Sequence, residues 1–509
     1  MQTETITIGT GMLSGVDAVP ITVEATTRSA SDGTPRILGL VDAAVREAYH
    51  RVLHAFYALS LPQPRGVTTV NFAPAAIRKQ GAGFDLPLAI ALAGAAGMFG
   101  PERTKDLCAF GEVSLRGRLL PARGAISVAL GARARGAHTL ICSTPDAGLC
   151  AGIDGLCVIG AETLADALFF VTGQRDLAPV PATHTVTPPS SLDLIDIRGH
   201  TTPKIALAVA AAGGHNLLFV GPPGSGKSAL CRRMPGLLPP PSDAEWLAIL
   251  QVHTAAGLAG MPPRQRPLRA PHHTSSCASL LGGGIDVRPG EATLAHNGVL
   301  FLDELPEFRR DALEALRQPL EDGLITVGRA LKTVTMPANF TLVAAMNPCP
   351  CGYRGHPARP CQCSPAAIAR YRNRISGPLL DRIDLQVEVP ALDPLVFTVP
   401  RDHSQSTAVF RARIEEARAR QERRNKTLGE PGANARLDGR ALEAACAPIA
   451  KLEPLLQELM HLHRLGGRAR VRVLRVARTL ADLAERDCVQ AEDVLEAAAL
   501  RGYARQFTP

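Results

Sequence analysis

One octapeptide limits the fold of this chain more than any other feature. Gly221-Pro222-Pro223-Gly224-Ser225-Gly226-Lys227-Ser228 fits the pattern G-x-x-x-x-G-K-[ST] in full. An apolar run, residues 216–220, leads into it, and a stretch of helical composition, residues 229–233, follows. Glycines let the backbone wrap closely around phosphate oxygens. Main-chain N–H groups and the helix N-terminus then face the anion. In that arrangement Lys227 reaches the β- and γ-phosphates of a nucleotide, and the Ser228 hydroxyl takes a Mg²⁺ ion. The plainer reading is a glycine turn before a helix. It loses because the whole pattern arrives with both of its flanks.

A second run strengthens the first. Residues 298–302 are Gly-Val-Leu-Phe-Leu and end in Asp303 and Glu304. A buried strand delivers such acids to its C-terminal edge, where sites in open α/β sheets lie. Asp303 is expected to complete the Mg²⁺ shell, and Glu304 to orient and polarise an attacking water. Alone, an apolar strand ending in an acid is common. Placed 303 − 227 = 76 residues after Lys227, it points to ATP hydrolysis as well as binding.

Short apolar segments at 215–220, 299–302 and 342–345 alternate with helical stretches, which predicts an α/β fold with a parallel sheet covered by helices. A length of 509 residues suits about three domains. Four prolines at 179, 181, 188 and 189 mark a linker over 176–191. Upstream, 1–175 reads as a mixed domain, with strands at 21–23 and 67–72 and helices at 42–56 and 86–98. The nucleotide core spans 192–391. Beyond a break at 394–400, residues 392–509 read as helical, over 410–424, 471–485 and 491–501.

Composition sets the partners. Net charge is 55 − 47 = +8, and only 7 of the basic residues are lysine, leaving 55 − 7 = 48 arginines. That permits a polyanionic partner without establishing one, since clustering matters more than the sum. The first ten residues do not read as a signal peptide. The longest apolar run, 86–100, falls short of the roughly 20 residues a spanning helix needs. A cytoplasmic protein without a membrane partner is the expectation. Cysteine use agrees, because four of the 12 cysteines lie within residues 349–363. Cys349-Pro-Cys351 and Cys361-Gln-Cys363 can fold back onto one tetrahedral Zn²⁺, with His356 as a spare ligand. The rival reading leaves these pairs without a metal.

Residues 327–334 read as a hairpin with Arg329 and Lys332 near its tip. Arg354, Arg359, Arg370, Arg372 and Arg374 surround the cysteine loop, and six arginines without an acid lie between Arg464 and Arg478. Such clusters can track a phosphate backbone. For any single arginine, a solvated face or an interface ion pair is the better reading.

These motifs stand in a specific order. Asp196-Ile-Arg-Gly-His200 precedes Ala210-Ala-Ala-Gly-Gly-His-Asn-Leu-Leu218. Pro271-His-His-Thr274, Gly282-Gly-Gly284 and Pro289-Gly-Glu291 follow. Then come residues 294–308, Ala344-Ala-Met-Asn-Pro-Cys-Pro-Cys-Gly352 and Ser376-Gly-Pro-Leu-Leu-Asp-Arg-Ile-Asp384. The set resembles the YifB/ComM family of magnesium-chelatase-like AAA+ ATPases over nearly the whole chain. The resemblance implies an AAA+ core with a helical lid, working as a homo-oligomeric ring, a hexamer. It implies a helicase that drives branch migration on single-stranded and branched DNA during natural transformation. Asn347 resembles the sensor that positions water, Arg382 the arginine finger reaching into a neighbouring subunit, and Arg468 the sensor arginine of the lid. The hairpin of Arg329 and Lys332 is then expected to point into the ring's pore and grip DNA.

Phe84-Asp-Leu-Pro87 and Gly111-Glu-Val-Ser-Leu-Arg-Gly117 resemble the Lon-protease-like domain of this family, an α+β domain akin to ribosomal S5 domain 2. Lon-type proteolysis needs a serine and a lysine. The matching regions, 83–88 and 123–128, hold no serine and no lysine respectively, apart from Ser127, which has no base beside it. No peptidase activity is expected. His272 and His273 receive no role, and Gly282–Gly284 suggests a mobile loop responding to ATP. Two other functions stay open. One is the ATPase subunit of magnesium chelatase, against which the N-terminal domain argues. The other is an AAA+ ATPase that remodels proteins.

Overall fold

The computed structural model describes residues 4–28, 34–182, 192–258, 260–284, 287–329, 332–430, 432–463 and 466–502. Its functional centre is a five-stranded, wholly parallel sheet. The strand order is Leu268–Arg269, Val299–Leu302, Thr341–Met346, Leu217–Val220, Leu385–Glu388. The strand entering the phosphate loop lies between two others, and all four of its residues are buried. Helices on both faces make burial possible on both sides, and the strands read as unbroken apolar runs for that reason. Val220 pairs with Met346 and Glu388, and Leu302 pairs with Ala344. Gly221, Asp303 and Asn347 therefore leave the sheet at one edge.

The opposite edge is stitched by Asn216. Its side-chain amide accepts from Leu342 N at 2.9 Å and donates to Arg382 O at 2.9 Å. Its main-chain N–H donates to Asp384 Oδ2 at 3.0 Å, and its carbonyl accepts from Asp384 and Leu385. Asp384 is buried and carries the tie onward. Its Oδ1 lies 2.6 Å from Arg472 Nη1, and its Oδ2 lies 3.7 Å from His215 Nδ1. Burial alone would raise this carboxyl's pKa. His215 and Arg472 overrule that and hold it well below the usual carboxylate range.

Arg472 belongs to the helix Gly467–Leu483, so the C-terminal helices are bound to the sheet by charge. They are bound by apolar packing as well. One cluster of buried residues joins Leu207, Leu217 and Phe219 to Phe410, Ile414, Val473, Leu474 and Ala477. The helices Thr407–Thr427 and Gly467–Leu483 both pack on Thr201–Gly213. The expected boundary at 392 separates sequence stretches that share one core. Helices were expected over 410–424, 471–485 and 491–501; they run over Thr407–Thr427, Gly467–Leu483 and Ala491–Ala499.

The N-terminal region forms a seven-stranded mixed sheet. Its order is Arg36–Leu38, Val67–Ala73, Asp17–Arg28, Ile6–Ser14, Leu107–Ala109, Thr139–Ser143, Cys157–Ala161. The helices Ala43–Ala58 and Asp85–Ala95 are locked by Arg51, whose guanidinium donates to both oxygens of buried Asp85 at 3.0 and 2.8 Å. Residues 176–182 are not a free tether. Val180 N donates to Val158 O at 2.9 Å, and Leu177 packs on the N-terminal core. The linker residues 183–191 lie outside the described residues.

This region also docks on the nucleotide core. Trp246, Leu247 and Leu250 of the helix Asp243–Ala256 pack against Ile126 and Val128. Arg123 Nε donates to Ala255 O at 2.6 Å, and Gln251 Nε2 to Val16 O at 2.9 Å. Among the described residues no helix is long and apolar enough to cross a membrane.

The Asp384 tie has a measurable consequence. A carboxyl whose folded pKa is depressed stabilises the fold above its unfolded value, about 3.9, and loses that contribution as pH falls toward the folded value. Asp384→Ala leaves the partly buried Arg472 without its acidic partner and is expected to cost about 3 kcal/mol. The checks are a lower thermal midpoint and faster amide exchange in helix 467–483. In wild type the same helix is expected to loosen only below about pH 4.

Candidate nucleotide site and its surroundings

The phosphate loop leaves its strand under tight steric rules. A Cβ on Gly221 would lie 2.1 Å from Val389 O, so no side chain fits there. Gly224 and Gly226 hold φ of +76° and +87°, in the left-handed region that glycine enters freely. The helix Lys227–Cys231 follows. Lys227 is buried, and its ammonium donates to Gly221 O at 2.7 Å, Pro222 O at 2.8 Å and Asn347 Oδ1 at 3.3 Å. Among the described residues it makes no ion pair. Burial lowers its pKa, with Asp303 and Glu304 opposing from a distance. A buried cation held only by neutral oxygens is the donor set that an anion completes.

Ser228 Oγ donates to Asp303 Oδ2 at 2.6 Å. A hydroxyl and a carboxylate converging on one point, beside a buried ammonium, fit the shell of Mg²⁺ on a nucleoside triphosphate. Glu304 sits next to them with φ +53°, a strained value for a glutamate that turns the chain sharply after the strand. Its side chain is 55% exposed, so the carboxylate faces solvent, as a group handling water must. The structure thus brings together Lys227, Ser228, Asp303, Glu304 and Asn347.

It also brings in a residue that the sequence reading left without a role. His273 Nδ1 lies 3.5 Å from Glu304 Oε2, and its ring is edge-on to Phe308 at 6.5 Å. His272 stacks on His273 at 4.1 Å. The only signal available in sequence was their position in an insertion ahead of Asp303. His200 is a second such residue. It is buried against the phosphate loop, 3.8 Å from where a Cβ on Gly226 would stand, and burial lowers its pKa.

Arg382 and Arg468 stand elsewhere. The Arg382 guanidinium is buried, pairs with Glu321 and donates to Pro378 O at 2.9 Å; its Nε has no partner. Arg468 is exposed in the first turn of its helix. Arg382 above all, with Arg468 and Arg317 behind it, holds the Glu321 carboxyl below its usual range. Of the two, Arg382 alone pairs with Glu321 among the described residues.

The four cysteines converge. The Sγ atoms of Cys349, Cys351, Cys361 and Cys363 all lie within 4.8 Å of one another. Cys349 is 3.4 Å from Cys351 and 3.6 Å from Cys361, and Cys351 is 3.6 Å from Cys361. Tetrahedral zinc with Zn–S bonds near 2.3 Å needs sulfurs about 3.8 Å apart. The set fits. His356 is not part of it. Its Nδ1 accepts from Ala358 N and Arg359 N, both at 3.1 Å, and so shapes the loop.

The expected hairpin is present as Leu324–Arg329 and Lys332–Pro337, with Arg329 directly opposite Lys332. Their side chains and residues 330–331 lie outside the described residues. The arginine run at 464–478 has largely internal uses. Arg470 pairs with Glu453, Arg472 with Asp384 and Arg478 with Asp482, and Arg475 Nε donates to Leu437 O. Arg464 lies outside the described residues. Arg372 is buried and donates to Pro348 O, and Arg374 pairs with Glu307. As for the Lon-like dyad, Ser127 is buried and donates to Val16 O at 2.6 Å.

Three substitutions separate roles at this site. Lys227→Ala is expected to weaken ATP binding itself. Glu304→Gln keeps binding but loses turnover by about 100-fold or more, because an amide takes no proton. His273→Ala frees the Glu304 carboxylate and is expected to change kcat with little change in KM. Equilibrium ATP titration and steady-state hydrolysis, run side by side, check all three.

Comparison with known proteins covers the chain from end to end. Residues 193–395 match the family model "Magnesium chelatase, subunit ChlI", residues 23–146 match "Subunit ChlI of Mg-chelatase", and residues 404–501 match "Magnesium chelatase, subunit ChlI C-terminal". The competence protein ComM of Haemophilus influenzae is 39% identical over 503 residues, covering 96% of both chains. The uncharacterized YifB proteins of Escherichia coli and Salmonella typhimurium are 40% and 39% identical over 500 and 497 residues, also covering 96% of each chain. By its full-length likeness to YifB and ComM and its three matching segments, the chain belongs to the magnesium-chelatase-like AAA+ family.

Proposed function

We propose that this protein is a cytoplasmic, ATP-hydrolysing, ring-forming DNA motor, a branch migration helicase acting in transformation and recombination. The observation that carries the reading is the hairpin Leu324–Pro337. It follows the helix Arg317–Asp322, which bears Glu321, after one residue and leads on to the strand Thr341–Met346, directly after which Asn347 stands. A basic tip is thereby joined at one end to the partner of Arg382 and at the other to the contact of Lys227. The full-length likeness to a competence protein supports the same reading.

In this reading ATP takes the place of the carbonyls around the Lys227 ammonium. Ser228 and Asp303 hold Mg²⁺, which neutralises charge on the phosphates. Glu304 takes the proton of the attacking water, held in position by His273, and Asn347 orients that water. The site is completed from outside. Arg382, kept by Glu321 in its own subunit, is drawn to the γ-phosphate of the neighbour and offsets charge developing on the transferred group. Arg468 serves as the sensor arginine of the C-terminal helices. Such head-to-tail contacts close into a ring, and we take that ring to be a hexamer. The N-terminal domain serves as a ring-building or DNA-handling module without peptidase activity, because Ser127 lacks a base and is spent on Val16. A structural Zn²⁺ occupies the four-cysteine cluster.

The test separates a DNA motor from a chelatase subunit or a protein remodeller. Arg329→Ala with Lys332→Ala is expected to leave basal hydrolysis within a few-fold and to abolish strand displacement from a branched substrate. The slope of log affinity against log salt for single-stranded DNA should flatten by roughly 1.4. Arg382→Ala should do the reverse, losing hydrolysis while DNA still binds. Mixing Arg382→Ala subunits with Lys227→Ala subunits should restore some hydrolysis. A double hairpin variant with unaltered DNA affinity, salt slope and displacement removes the DNA motor reading.

A further inference from the structure

The cysteine cluster touches the nucleotide site through two short routes. Cys349 follows Asn347 by two residues, and its carbonyl accepts from Gly352 N at 3.0 Å. Gly352 then lies flat on the phosphate loop. A Cβ there would stand 2.6 Å from Pro223 Cδ, 2.7 Å from Pro223 Cγ and 3.8 Å from Asn347 Cγ, and its φ is +82°. Only glycine fits both the angle and the distance. Further along, Arg354 and Gly355 join Gly221, Pro222 and Pro348 around a hollow of about 240 Å³ beside the phosphate loop.

His356 and the Arg359–Tyr353 contact shape the tip of this loop, but the loop has no apolar core of its own. Residues 354, 355 and 357–360 are exposed, and no residue from 352 to 363 belongs to an apolar cluster of the described structure. A loop without a core holds one conformation only if it is cross-linked, and the free energy of metal binding is then free energy of folding. Four sulfurs at tetrahedral spacing supply that cross-link.

We propose that the Cys349, Cys351, Cys361 and Cys363 cluster, loaded with zinc, clamps the phosphate loop through Gly352 and Pro223, so that metal loading sets the affinity for ATP. The inference rests on the reading of this loop as an ATP site and of the cluster as a zinc site. The clamp holds Pro223 from above and fixes the backbone leading to Asn347. Without metal, the Gly352 brace leaves Pro223, and the loop's N–H groups no longer start out pointed at the phosphates.

The experiment measures zinc content and ATP affinity separately on the full chain. Purified protein is expected to hold about one zinc per subunit. Stripping with a chelator should weaken ATP binding by about tenfold or more, and added Zn²⁺ should restore it. Gly352→Ala leaves all four cysteines in place and should keep the zinc while losing a similar factor in ATP affinity. Gln362→Ala, exposed in the same loop and not a ligand, should keep both.

Unchanged ATP affinity and turnover after complete removal of zinc overturns the clamp and leaves the zinc site standing. Protein that hydrolyses ATP but carries no zinc overturns both. Protein that holds zinc but never binds ATP overturns the nucleotide reading instead. If stripping unfolds the chain, Gly352→Ala decides alone: full ATP affinity with zinc in place overturns the clamp.

Discussion

The side chain of Asn216 holds the nucleotide core in register. A parallel sheet has no hairpins to fix how its strands align, so alignment must come from side chains and from the packed helices. Asn216 binds the strands Thr341–Met346 and Leu385–Glu388 to the strand it precedes, all at their starting edge. With the starts pinned, the ends fall level. That is why Gly221, Asp303 and Asn347 meet at one place, and why Lys227 can reach Asn347 while Ser228 reaches Asp303. The same node extends through Asp384 to Arg472. Movement of the C-terminal helices is thus transmitted to the root of the phosphate-loop strand, across the sheet from the nucleotide.

Charge in this protein works mostly inward. A chain with 48 arginines looks like a binder of polyanions, yet the structure spends many of them on its own backbone and acids. Arg418 donates twice to Ala211 O, and burial pulls its pKa down to about 10. Arg478 is fully buried between Asp482 and the carbonyls of Ala445, Arg486 and Asp487. Arg424 binds Asp482 and Asn434. Arginine suits this use because its planar fork satisfies several acceptors at once while staying charged. The residual surface charge is therefore a weaker sign of nucleic-acid binding than the sum suggests, and the hairpin carries that argument instead.

How much of this was legible in sequence depended on whether the signal was local. The phosphate loop, the strand ending in Asp303 and Glu304, the hairpin and the cysteine pairs were all visible, because each is written in consecutive residues. The strand Ile6–Ser14 was not, since Gly9, Gly11 and two threonines blur its alternation. The helix Asp243–Ala256 has no single apolar stripe to read, because Trp246, Leu247 and Leu250 meet the N-terminal domain while Val252 and Ala255 join the cluster over the sheet. His273 was unreadable for a deeper reason. Its partner Glu304 lies 31 residues away in sequence, and only the fold of the intervening insertion brings them to 3.5 Å. Glu321 as the holder of Arg382 is the same kind of case.

The N-terminal region also packs on the base of the hairpin Leu324–Pro337. A Cβ on Gly15 would stand 2.4 Å from Val334 Cγ1 and 3.3 Å from Met336 Cγ, so the turn at residues 14–17 sits on the base of the hairpin Leu324–Pro337. Val16 is buried in the same apolar cluster as Ile325, Val334 and Met336. The hairpin's root is therefore held from two sides: by the apolar cluster of the nucleotide core, which includes Ile325, Val334 and Met336, and by the N-terminal turn, which Ser127 and Gln251 hold through the carbonyl of Val16. A hairpin rooted only in the core could swing freely when the core changes shape. One wedged at its base is tied to both regions, because packed interfaces hold discrete arrangements rather than deforming smoothly. The N-terminal region thus supports the base of the hairpin through the turn at residues 14–17.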